Sequence, residues 1–123
     1  MNLSDLKVLR SELQAKVEAE RRKQELAQQR GHEIWQRDRR QPEAEALVQR
    51  IYSQIKEALD RSPSLDNYTF RYDCGNRSLP SYARATETVA LAVQLLRADG
   101  AWVHDRFHED EPGKVVASLE IRF

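Results

Sequence analysis

The 123-residue sequence sets 20 Lys+Arg against 20 Asp+Glu, so a chain that is one-third charged sums to zero. That length suits one domain rather than two, and a neutral total argues against a protein built around a polyanion, which usually shows a basic excess. Cys74 is the only cysteine, which excludes an internal disulfide framework, and no apolar run approaches a membrane span or a signal-peptide core. The expected setting is the cytoplasm, with no membrane contact.

The first 41 residues hold ten Lys/Arg and seven Asp/Glu, a mild basic bias. Asn2 or Ser4 can cap a helix, and Leu6, Leu9, Leu13 and Val17 then recur at spacings of three, four and four, the mark of one apolar helix stripe. Ala, Glu, Gln, Arg and Lys dominate the segment and favour helix. Beyond Val17 the only large aliphatic residue before Ile34 is Leu26, so burial cannot stabilise this helix along its whole length. Leu6, Leu9, Leu13 and Val17 are therefore expected to form an oligomerisation seam of coiled-coil type, with a polar spacer behind it. Gly31, Ile34-Trp35 and the run Arg37 to Pro42 mark a break, with Trp35 as a packing anchor. Residues 1–41 are thus expected to be a helical arm and linker, and residues 42–123 a compact α/β domain.

From Pro42 to Arg61 the residues Leu47, Ile51, Ile55 and Leu59 fall four apart, predicting an amphipathic helix ended by Ser62-Pro63-Ser64. Tyr68 to Cys74 alternates, with Tyr68, Phe70, Tyr72 and Cys74 on one side, and reads as a half-buried strand. Gly75 to Ser81 reads as a loop in which Ser78 or Ser81 can cap the next helix, Ala83 to Ala98, which Gly100 stops. Ala101 to about Phe107 predicts a second strand, Glu111-Pro112-Gly113 a turn, and Lys114 to Phe123 a third strand with Val115, Ala117, Leu119, Ile121 and Phe123 on one face. The predicted class is α+β. An α-β-α-β-β domain follows the arm, its three-stranded sheet covered by helices on one face. A strand-helix-strand crossover sets the first two strands parallel, and the last two form a hairpin. The uncovered face then carries Arg71, Asp73, Ser118, Glu120, Arg122 and one side of the middle strand.

No catalytic set stands out, and the chain is expected not to be an enzyme and to need no cofactor. Cys74 alone reads as a small buried hydrophobe. His104 and His108 lie beside Asp105, Glu109, Asp110 and Glu111, but two positions four apart on a strand are about 13 Å from each other, so no metal site is expected. The strongest small-ligand candidate is the strand-loop-helix segment, where Arg71, Asn76, Arg77 and Arg84 could meet a phosphate at a helix N-terminus.

The run Leu95-Leu96-Arg97-Ala98-Asp99-Gly100-Ala101-Trp102-Val103, a polar turn, then Val116 to Phe123, resembles the ending of many small phage and prophage α/β proteins. That resemblance covers about 40 residues and implies an accessory or assembly role, or interference with a host protein. The order of elements is also similar to the later part of Alba-type and translation-initiation-factor nucleic-acid-binding domains, though their first strand and basic surface are missing here. The reading is a non-enzymatic interaction or assembly module with a protein partner, a homo-oligomer through either the helical arm or an exposed edge of the small sheet. The alternative is nucleic-acid or nucleotide binding around Arg71, Arg77 and Arg84.

Overall fold

The computed structural model describes residues 1–123. It is α+β, with the order α1 (Leu3–Asp38), α2 (Arg40–Arg61), β1 (Asn67–Asn76), α3 (Pro80–Ala98), β2 (Trp102–Glu111) and β3 (Lys114–Arg122). The chain forms two compact units, Met1–Ile34 and Trp35–Phe123.

The first unit is helix throughout from Leu3. Its start is a reciprocal cap: the Asn2 side-chain oxygen accepts from the Asp5 amide, and the Asp5 carboxylate accepts from the Asn2 amide, both at 3.0 Å. Two otherwise orphaned donors are satisfied in this way. Beyond the leucines the helix is knitted by exposed pairs one turn apart, with Arg21 bonded to Glu18 and, at 3.1 Å, to Glu25.

Gly31 does not break the helix, contrary to the sequence expectation. One glycine costs about 1 kcal/mol relative to alanine, and the good helix formers on both sides outweigh it. The break falls at Arg39, between α1 and α2. Pro42 explains that position, because a helical proline clashes with the carbonyl four residues earlier, here that of Asp38, and cannot donate to it. Pro42 instead sits in the first turn of α2, where a missing N–H is tolerated.

In the second unit, Trp35 is buried and its indole N–H donates to Glu43 at 3.0 Å. Helix α2 turns Ala44, Leu47, Val48, Ile51 and Ile55 inward, and α3 turns Thr88, Val89, Ala92, Val93 and Leu96 inward. Buried Thr88 gives its hydroxyl proton to the Arg84 carbonyl at 2.8 Å, so no polar group is stranded there. Both faces meet Phe70, Cys74, Val103, Val115, Ala117, Leu119 and Ile121 of the sheet in one core.

The sheet order is β1-β3-β2, with β3 antiparallel to both neighbours. Strands β1 and β2 therefore run parallel, as the crossover rule requires, but β3 lies between them. The central strand is the last in sequence, and its strict alternation leaves Val115, Ala117 and Leu119 fully buried.

Helix α2 starts at Arg40 rather than Pro42, and β3 stops at Arg122, leaving Phe123 half-exposed beyond it rather than on the buried face. Three further boundaries differ from the sequence reading. Helix α3 begins at Pro80 with Leu79 as N-cap, and neither Ser78 nor Ser81 caps it. Pro80 supplies the start by fixing φ where no N–H is needed. Strand β1 runs on to Asn76, past a bulge between Asp73 and Gly75, where Gly75 takes φ +77°. Strand β2 runs on to Glu111, past a second bulge between Glu109 and Glu111. Its acidic end looks like loop in composition, yet it is held by pairing with β3.

Helix α3 closes as expected at Gly100, φ +97°, with the Ala101 amide on the Leu96 carbonyl at 3.1 Å and the Gly100 amide on Arg97 at 3.0 Å. Pro112 and Gly113 make the two-residue turn between β2 and β3.

Candidate functional site

Two regions hold the residues picked out from the sequence. The first is the apolar face of α1. Leu6, Leu9, Leu13 and Val17 line one side of the helix and are 43–69% exposed. The unit they belong to is a single helix, so nothing within it covers them. Arg10, Gln14 and Glu18 flank this face. It ends where the spacing that generates it would next place Glu20, Gln24 and Gln28.

The second region is the hairpin end of the sheet. Asn76 pairs with Lys114, and the Arg77 amide donates to the Gly113 carbonyl at 2.9 Å, so the loop after β1 is stitched to the β2–β3 turn. Asn76 also accepts from the Ser78 amide at 2.9 Å and the Ser78 hydroxyl at 2.8 Å, a side-chain turn that fixes the loop. Its amide lies 3.5 Å from where a Cβ on Gly113 would stand.

The structure therefore brings Arg71, Asn76 and Arg77 to one end of the sheet, but with acids beside them. Arg71 bonds Asp110 at 3.1 Å and lies 3.5 Å from His108 Nε2, which is itself 3.3 Å from Asp110. Arg77 pairs with Glu109 at 2.8 Å, and Lys114 with Glu111 at 3.4 Å. Three cations thus meet three carboxylates, so Arg71, Arg77 and Lys114 are each already compensated. Arg84 is one of the residues of α3 and forms no ion pair; its Nε is buried without a hydrogen-bond partner.

His104 and His108 share the outer sheet face, opposite Glu120 and Val116 of β3. No three His, Cys, Asp or Glu side chains converge where they could hold a metal ion. Burial pushes the Cys74 thiol above its ordinary range, which disfavours the reactive thiolate.

Contacts invisible to sequence reasoning complete the picture. Half-exposed Trp102 lies under the Arg122 guanidinium, 4.3 Å from ring centre, and stacks with His104 at 6.2 Å. Arg97 donates to the Val103 carbonyl at 2.8 Å and pairs with Asp105 at 3.7 Å. The Tyr52 hydroxyl donates to Asp99; burial, then this bond, pushes its pKa up to about 12. Apart from Trp102 and His104, which strand alternation places on one face, each joins residues from different elements, so periodicity carries no trace of them. No helix is long and apolar enough to cross a membrane. The chain matches no family model, no curated protein and no solved structure.

Proposed function

We propose that this chain is a protein-interaction module that self-associates through the apolar face of α1 and offers its α+β unit to a protein partner. The observation that carries this reading is the row Leu6, Leu9, Leu13 and Val17, regularly spaced and left open to water on a helix with no cover of its own. Isolated exposed leucines are ordinary on protein surfaces. Four in one stripe on an otherwise strongly polar helix call for a partner surface.

The neutralised arginines count against the anion-binding alternative. Arg71 and Arg77 would have to give up Asp110 and Glu109 before engaging a phosphate.

Sedimentation of the intact chain, from about 1 µM to about 1 mM, tests the proposal over the range a short apolar seam reaches. Reversible association that Leu9→Lys abolishes is the expected result. A monomer at every concentration, or association indifferent to Leu9→Lys, overturns it.

A further inference from the structure

Resting on that self-association, we infer that the occupant of the α1 face is a second copy of the same helix, lying parallel and in register. The spacing from Leu6 to Leu9 and from Leu9 to Leu13 assigns these residues to alternating seam positions of a two-helix contact. The flanking positions then follow: Asp5 and Glu12 lie on one side of the seam and Arg10 on the other. In a parallel pair each flank faces the opposite flank of its partner, five residues on, so Asp5 of one copy meets Arg10 of the other, twice per dimer. In an antiparallel pair like flanks meet, setting Arg10 against Arg10 and Glu12 against Glu12. Spacing alone does not decide, because three-four-four read backwards matches itself to within half a residue. The charges decide.

The flanks also favour two copies over a larger bundle. Beside Leu6, Leu9 and Leu13 the charged Asp5, Arg10 and Glu12 leave little apolar surface for a third helix, while Leu3 and Val17 extend the stripe onto the Arg10 flank at its two ends. The step of four from Leu13 to Val17 departs from the heptad, and the polar positions after Val17 end the seam. The contact is short and the dimer correspondingly weak. Its consequence is that two α+β units are tethered at the same end of the paired helices. Either unit binding one partner raises the effective concentration of the other.

Spin or fluorescent labels on single introduced cysteines in the full chain separate the outcomes. The unaltered chain, whose one thiol, Cys74, is buried, is the labelling control. Labels at Ser11→Cys sit near the midpoint of the stripe and come close in either orientation. Labels at Gln28→Cys come close only in the parallel arrangement, and stand about 50 Å apart in the antiparallel one at 1.5 Å rise per residue. Proximity at both positions is expected. Proximity at position 11 with wide separation at position 28 overturns the parallel inference while leaving self-association intact. No proximity at either, with a monomer by sedimentation, removes both. As an independent check, Arg10→Glu should weaken the dimer about 3- to 10-fold and Arg10→Lys should not; equal effects would refute the Asp5–Arg10 contact.

Discussion

Replacing Leu13 with alanine isolates the stripe from the fold. Leu13 is 52% exposed in the single chain, so pairing can still bury about half of its side chain. Full burial of a leucine contributes about 1.5–3 kcal/mol, and the remaining half therefore about 1 kcal/mol per copy. Alanine keeps roughly a third of that, so the two copies together forfeit about 1.5 kcal/mol, or about tenfold in Kd. An unfilled gap between the helices would raise the loss toward about 3 kcal/mol and about a hundredfold. Alanine is the better helix former, so weakened association cannot be ascribed to a melted helix. Sedimentation equilibrium on the two chains measures the change, and urea unfolding followed by tryptophan fluorescence tracks Trp35 and Trp102 in the α+β unit. The expected result is a Kd raised about 10- to 100-fold with unfolding stability unchanged to within about 0.5 kcal/mol. An unchanged Kd, or a loss of stability that matches the loss of association, refutes the reasoning.

Other outcomes follow from the α+β unit. Leu119→Ala, at a fully buried site on the central strand, should cost about 3–4 kcal/mol in urea unfolding. Gly113→Ala should cost about 1–2 kcal/mol by the same assay, because φ is +82° there, a backbone conformation that a side chain disfavours, while the space beside it is open enough for a methyl. In an ultraviolet titration of the four tyrosines, Tyr52 should ionise near pH 12, and Asp99→Asn should bring it down toward the ordinary value. The sign is that of a group whose folded pKa is raised. Its contribution to stability is complete below pH 10 and is lost as pH climbs from 10 through 12.

What could be read in advance was whatever one element decides for itself. The four-residue stripe of α2 and the alternation of β3 each state a period and a buried face, and tertiary packing agrees with both. The Arg39 break was legible too, since it falls inside the run Arg37 to Pro42 and Pro42 forbids helix at a fixed distance behind it; only Gly31 was wrongly included in it. The extent of β2 was not legible, because His108 to Glu111 is charged like a loop and only pairing with Lys114 to Val116 makes it strand. The fate of Arg71 and Arg77 was equally hidden. Their partners lie 39 and 32 positions away, and sequence shows a cationic residue without showing which carboxylate the sheet register sets beside it. The stripe of α1 was the most legible part of the candidate site, since nothing within the first unit modifies what its spacing states.

The position of β3 bears on how the molecule is made. Strands β1 and β2 each pair only with β3, and pairing of Asn67 with Arg122 closes a span of more than 50 residues. During synthesis neither early strand has a neighbour until the third has left the ribosome, so the sheet assembles in one late step rather than strand by strand. Until then Phe70 and Val103 wait on unpaired edges, while α1, whose hydrogen bonds are all local, is already able to form.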